Sequence, residues 1–257
     1  MDSACLVTQN FKDNSSRDYP YGEQIIIENN FMRVPRSIHR LKCPDKLDED
    51  LAYLSGYHLG DGYLEDSNKT FERRRKAGYD IVYADRDLHQ IELIGKIIYE
   101  EFGLKLNIYK RKNSDVYIGR ANSCKVLHWF MNKKMGLPIG RKHHIAIPEW
   151  ILKNEKFLAN FISGFFDAEA DISKTTNHAY KIIRIQFTQK DKFVIDNLKE
   201  LLYSVFDIRS VVSKKWNQNA YQLHVLGKKN AVKFKEKIDF RNVIKRQKLE
   251  CFLQDFK

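Results

Sequence analysis

An internal repeat constrains this chain more than any other feature. Leu54-Ser55-Gly56-Tyr57-His58-Leu59-Gly60-Asp61-Gly62 aligns with Ile162-Ser163-Gly164-Phe165-Phe166-Asp167-Ala168-Glu169-Ala170, and Asp61 falls on Glu169 at an offset of 108. Beyond the motifs the match continues at an offset of 104. Phe102-Gly103-Leu104 falls on Phe206-Asp207-Ile208, Tyr117 on Tyr221, Phe130 on Phe234, and Arg141-Lys142 on Lys245-Arg246. The four-residue shift assigns a longer loop to the first copy, between Gly62 and Tyr79. A register kept over about a hundred residues is the signature of duplicated structural units. The expected organisation is an N-terminal extension over 1–46, a first domain over 47–150 and a second over 151–257.

Each copy carries the same order of patterns. An apolar helical stretch leads into the motif, at Asp50 to Gly60 and at Phe157 to Ala168. Alternating segments follow, such as Lys181 to Phe187, where Ile183, Ile185 and Phe187 share one face. Helices are expected at Leu88–Phe102 and Lys192–Phe206. Strands then follow at Lys105–Lys110 with Asp115–Arg120, and at Arg209–Lys214 with Tyr221–Leu226. A closing helix ends each copy, at Cys124–Met135 and Lys229–Ile238. The order α-β-β-α-β-β-α, twice, is an α+β class with antiparallel hairpins half-buried on one face. Residues 1–46 have no counterpart in the repeat: Arg33, Arg36, Arg40 and Lys42 read as a basic arm, Ile25-Ile26-Ile27 equally as a packed extra strand.

Composition narrows the partners. Of 257 residues, 45 are Lys or Arg against 33 Asp or Glu, a net charge of +12, which points to a polyanion such as nucleic acid. With 43% hydrophobic residues the chain can bury a core, which argues against global disorder. No apolar run approaches the roughly 18 residues of a bilayer span, so no membrane partner is expected. Met1 to Asn30 has no signal-peptide core, and Cys5, Cys43, Cys124 and Cys251 form no CxxC pair. Reduced thiols in an intracellular protein are expected, cytoplasmic or nucleoid, with a eukaryotic organelle left open. There is no P-loop and no GxGxxG, so a nucleotide cofactor has no support.

The motif itself carries chemistry. Gly56 and Gly60 lie four apart on one helix face, as do Gly164 and Ala168. Small residues at that spacing let two helix backbones approach closely, so the two motif helices should pack together as the domain interface. Asp61 and Glu169 then stand at the last helical position, where the helix dipole disfavours a carboxylate by about 0.3–1 kcal/mol. Bringing both acids together adds like-charge repulsion. A matched pair in that position calls for a cation, and oxygen-only ligands at a sparse site suit Mg2+. Such a metal activates water and stabilises the leaving oxygen of a phosphodiester.

The two motifs resemble the pair that defines LAGLIDADG homing endonucleases, in their single-chain, two-motif, archaeal-type form. The resemblance runs over about residues 47 to 257 and includes Gly136-Leu137-Pro138-Ile139-Gly140-Arg141-Lys142 leading into Ile147-Pro148-Glu149-Trp150-Ile151. It implies two pseudo-twofold-related αββαββα domains whose antiparallel sheets form a DNA-binding saddle. It also implies that Asp61 and Glu169 bind divalent metal and cleave one strand each, with Mg2+ or Mn2+ supporting cleavage and Ca2+ binding without it. Gln189 matches the family's water-holding position at the end of the second strand; its counterpart at offset 104 is Asp85. A family lysine near each C-terminal basic pair maps to Lys142 or its neighbour Arg141, and to Lys245 or its neighbour Arg246. Each would stabilise negative charge on the transferring phosphate. Two positions depart from the motif. Leu59 replaces the first acid that Asp167 keeps, and Ala170 replaces the closing glycine, which should strain or reshape that turn.

Strand alternation also marks a reading surface. Arg184, Gln186 and Thr188 share a polar face and resemble the family's base-reading positions. Lys105, Asn107, Tyr109 and Arg111 form a second set, with Tyr117 on the partner strand; Arg209, Ser213 and Lys215, with Gln222 and His224, form a third. Arg and Gln read guanine and adenine edges in a major groove that admits a β-ribbon. Arg73, Arg74 and Arg75 in the longer loop suit phosphates, whereas Lys110-Arg111-Lys112 reads equally as a solvated hairpin tip. The expectation is a monomeric, Mg2+-dependent endonuclease that makes a double-strand break in a long pseudo-palindromic DNA site. Met1 and Lys257 as termini favour a free-standing enzyme over an intein. An intron RNA maturase and a non-catalytic DNA-binding protein are the alternatives.

Overall fold

The computed structural model describes residues 25–35, 40–66, 78–142, 145–177, 180–216 and 218–255. The basic run Arg73, Arg74, Arg75 lies outside them. The described chain divides into two units. One takes the chain up to Leu47 together with Gly62–Gly140, and the other takes Asp48–Asp61 together with Arg141 onward.

In the first unit, strands β1 (Ile26–Glu28), β2 (Phe31–Arg33) and β3 (Arg40–Lys42) form a small antiparallel sheet. Met32, Val34 and Leu41 are buried, and β3 packs against the helices that follow. The isoleucine run is therefore a strand, and Arg33, Arg40 and Lys42 sit on that sheet rather than on an extended arm. The larger antiparallel sheet has the order β4 (Gly62–Leu64), β5 (Ile81–Asp85), β7 (Tyr117–Ala121), β6 (Asn107–Lys110). Helix α2 (Leu88–Phe102) covers it with Ile91, Ile94, Ile98 and Phe102. The Asp87 side chain accepts from the His89 amide at 3.0 Å to start this helix. Gly103, at φ 70°, ends it in the left-handed conformation that glycine adopts without steric cost. The expected closing helix is shorter and changes winding: α3 (Lys125–Trp129) passes into a π-helical turn over Phe130–Lys134.

The second unit is built on α1 (Glu49–Asp61) and α5 (Glu155–Glu169), preceded by the short α4 (Glu149–Leu152). Its sheet has the order β10 (Ser210–Lys214), β11 (Tyr221–Leu226), β9 (Tyr180–Gln189), β8 (Ala170–Asn177). Ile183, Ile185 and Phe187 all point into the core, as the alternation requires. Phe187 stacks on Phe166 at 4.9 Å between centroids and meets Phe165 edge-on at 4.8 Å. Helix α6 (Lys192–Ser204) packs on β10 and β11, and α7 (Lys228–Lys237) and α8 (Val243–Gln254) complete the unit. Helix α8 is absent from the sequence expectation. Its exposed Val243 and Ile244 blur the amphipathic pattern that would announce it.

Both units are α+β with antiparallel sheets, the expected class. Ala170 does not strain its turn: at φ −94° and ψ 148° it is extended backbone, and α5 runs directly into β8. The next strand begins at once, so the left-handed exit that glycine would serve is not used. Among the described residues, no helix is long and apolar enough to cross a membrane.

Candidate functional site

Helices α1 and α5 pack face to face within the second unit, and their small residues set how close they come. A Cβ added to Gly56 would lie 1.9 Å from the Phe161 carbonyl oxygen, and one added to Gly164 would lie 2.1 Å from that of Tyr53. These are backbone atoms that cannot rotate away, so both glycines are demanded by the approach itself. Gly60 lies against Ala168, and a Cβ there would stand 3.1 Å from Cγ of Glu169. The crossing thus brings the C-terminal ends of both motif helices, with Asp61 and Glu169, to one place.

Two lysines close these ends in the same way. Lys142 Nζ donates to the carbonyls of His58 (2.7 Å), Leu59 (3.0 Å) and Gly60 (2.6 Å). Lys245 Nζ donates to the carbonyls of Phe166 (3.1 Å) and Asp167. Each ammonium bonds carbonyls of a helix's last turn and sits at the negative end of the dipole; the Phe166 carbonyl accepts from the Ala170 amide as well. The neighbours named with them do other things. Arg141 is exposed, and Arg246 Nε donates to the Phe240 carbonyl at 2.7 Å. Burial pushes the Lys142 ammonium down to about 8, against the pull of Asp61 and Glu169. Burial pushes the Glu169 carboxyl up, countered by Lys142, by the hydrogen bond from Gln189 and by Lys245. Gln189 Nε2 donates to Glu169 Oε1 at 3.2 Å. Its counterpart Asp85 pairs with Tyr117 as Gln189 pairs with Tyr221, but its Oδ1 accepts from the Asp87 amide at the start of α2.

Sequence reasoning missed a buried network behind this site. Asp167, 1% exposed, accepts on Oδ2 from Tyr53 Oη (2.6 Å) and from the amides of Arg241 (3.0 Å) and Asn242 (2.9 Å). Arg241 lies over the Tyr53 ring at 4.5 Å and reaches Asp50 at 2.5 Å. Asn242 in turn caps α8, the helix that carries Lys245. Asp167 was visible as the motif's retained first acid, but nothing local marks partners 114 and 74 residues away. Burial pushes its carboxyl up to about 6, against the hydrogen bond from Tyr53, the Lys245 charge and the two backbone amides.

The second unit's sheet presents one polar face. Register places His224 opposite Gln186 and Gln222 opposite Thr188, with Arg184 beside Ser173. Ser213 follows on β10, its Oγ 2.8 Å from His224 Nε2. Arg209 and Lys215 flank that strand in the same alternation. In the first unit, Lys105, Asn107, Tyr109 and Arg111 are all exposed along β6 and its ends. Tyr117 requires correction: it pairs with Lys110 and Asp85, and so lies on the opposite face from Asn107. The hairpin turn sets that register, which alternation alone does not give. Arg120 pairs with Asn107 instead, and its guanidinium is held by Asp80.

The donor chemistry at the helix ends fits a hard divalent cation. Asp61 and Glu169 offer carboxylate oxygens at the meeting of the two helix ends. Among the described residues, no group of three or more His, Cys, Asp or Glu side chains could hold a metal, so a cation here would rest on two protein carboxylates.

Comparisons with known proteins agree with this geometry. Residues 156–239, from within α5 to beyond α7, match the family model of a LAGLIDADG-like domain. The fold is that of LAGLIDADG homing endonucleases. The structure of I-DmoI in complex with DNA and Mn superposes with a TM-score of 0.52 at 20% identity, over 74% of this chain and 96% of that one. I-LtrWI bound to target DNA gives 0.54 at 17% identity, over 81% and 89%. The K262A mutant of I-SmaMI gives 0.57 at 13%, over 81% and 90%. Two sequence relatives come from Methanocaldococcus jannaschii. A probable translation initiation factor IF-2 is 25% identical over 83% of this chain, and an uncharacterized protein is 26% identical over 65% of it. The chain spans only 17% and 61% of the length of these two relatives.

Proposed function

We propose, from the premise that residues 156–239 are a LAGLIDADG-like domain in a chain with the homing-endonuclease fold, that the protein is a site-specific DNA endonuclease. It hydrolyses both strands of a long pseudo-palindromic duplex site, acting as an intracellular monomer with Mg2+ or Mn2+. One observation carries the reading. Gly60 lies against Ala168 and the Glu169 side chain where the two motif helices end, so two matched acids, Asp61 and Glu169, stand at one helix-end site.

Asp61 and Glu169 would hold the cations, which when bound supply a polarised phosphate oxygen and an activated water. The chain's own residues do the positioning. Gln189 fixes the Glu169 carboxylate through Oε1. Lys142 has three N–H donors and spends three bonds on α1 carbonyls. It therefore acts on the phosphate through its charge, and it fixes the helix end that carries Asp61. Lys245 does the same for α5 and Glu169. Arg184, Gln186, Thr188, Gln222 and His224 offer the donors and acceptors that read base edges.

The test is cleavage-based selection from a randomised duplex library with Mg2+, repeated with Ca2+. A recovered site on a supercoiled plasmid should be linearised by the wild type. Asp61→Asn and Glu169→Gln should each abolish linearisation while still binding the site in Ca2+. Recovery of no site with Mg2+, or full linearisation by both variants, would sink the reading.

A further inference from the structure

The turn between β10 and β11 carries the most exposed large apolar side chain described. Trp216 is 87% exposed, whereas Trp150 meets Phe157 edge-on at 5.6 Å and Trp129 lies under Lys134 at 5.7 Å. A tryptophan held in water forgoes the burial that aromatic side chains bring to a core or an interface. Here it stands at the end of the very hairpin whose face carries Gln222, His224 and Ser213. The tip is well formed on both sides of it: the Lys215 amide donates to the Ala220 carbonyl at 2.9 Å, and the Gln218 amide to the Lys215 carbonyl at 3.3 Å. Lys215 continues the outward row of Val211, 51% exposed, and Ser213. At the repeat offset of 104, Lys215 and Trp216 correspond to Arg111 and Lys112 in the turn between β6 and β7. One copy thus presents two cations where the other presents a cation and an indole, so both tips carry positive charge. Polyanionic backbone with apolar sugar between its phosphates suits both.

We propose that Trp216 packs on the sugar–phosphate backbone of bound duplex DNA at the end of the polar face, with Lys215 on an adjacent phosphate. This rests on the DNA-binding reading above and names a contact that reading does not contain. The indole supplies apolar area against deoxyribose, and the ammonium supplies sequence-independent charge. The contact therefore adds affinity without reading bases.

The full chain is titrated with a mixed-sequence duplex of about three helical turns in Ca2+. Iodide quenching of tryptophan emission is followed for the wild type and for Trp216→Phe, whose remaining signal comes from Trp129 and Trp150. The difference between the two should lose its quenching when DNA is added. Trp216→Ala should weaken binding about tenfold at an unchanged salt slope. Lys215→Ala should lower the slope of log affinity against log salt by about one. If DNA binds but Trp216 stays open to iodide and Trp216→Ala binds equally well, the proposal falls while the endonuclease reading stands. If no DNA binds at all, the endonuclease reading falls with it. If Trp216 is shielded without DNA in a concentration-dependent dimer that Trp216→Ala abolishes, it serves self-association and the proposal is overturned.

Discussion

Asp167 shows how much one buried carboxyl decides. All three of its donors reach Oδ2, and its carboxyl is raised from the ordinary 3.8 to about 6. Between those values the folded protein holds a proton that the unfolded chain has released. Its stabilising contribution is therefore complete below about pH 4 and is lost as pH rises through 6. Asp167→Asn keeps an acceptor for the three donors and cannot titrate. Urea unfolding at pH 4 to 7 should then show the wild type losing about 2–3 kcal/mol relative to this variant. Lys142 invites a different substitution. Lys142→Met leaves three helix-end carbonyls without their donor, at a cost of about 1–3 kcal/mol. Because the ammonium is spent on carbonyls, the variant should cleave at least a hundredfold more slowly yet keep the wild-type salt slope for DNA. A slope reduced by about one would instead put Lys142 on a phosphate.

At the scale of elements, the same substitution should act in opposite directions at two helical glycines. Gly56→Ala drives a Cβ into the Phe161 carbonyl at 1.9 Å, and two backbones must part to admit it. A loss of about 3 kcal/mol or more is expected in thermal or urea unfolding. Gly95→Ala in α2 meets only Ile108 Cδ1, at 3.5 Å, an ordinary contact. There the gain in helix propensity should stabilise by about 0.5–1 kcal/mol. The sequence exposed the motif helices, α2 and the β9 alternation because each has a period and a second copy. Asp61 and Glu169 were legible for the same reason, whereas Lys142 and Lys245 came from the family resemblance, each undecided against its neighbour. What escaped has no such signal. Strands β1 to β3 are three residues each, too short for alternation to speak. The face of Tyr117 depends on a turn closed by the Arg111 amide on the Val116 carbonyl. The Tyr53–Asp167–Arg241 network joins residues that only the folded chain brings together.

At the scale of the molecule, chain order and unit membership disagree. Asp48–Asp61 is followed by the whole of Gly62–Gly140, yet it belongs with Arg141 onward. A fragment beginning at Arg141 would lack α1 and expose the face of α5 that Gly56 and Tyr53 cover. Such a fragment should show no cooperative unfolding transition, and one with residues 48–61 joined ahead of it by a flexible linker should recover one. Equal cooperativity in the two fragments would show that α1 is dispensable to the unit.

That discontinuity also limits how such a gene can be reshuffled. Crossing two relatives once after Gly140 would give an offspring whose α1 comes from one parent and whose α5 comes from the other. The glycine contacts between them tolerate no mismatch in helix spacing. Hybrids that exchange Gly62–Gly140 would have to keep residues 48–61 together with everything after Gly140, which takes two crossovers, whereas one crossover ahead of Asp48 already keeps them together. Lineages that recombine at random should therefore keep this helix pair as a single heritable block.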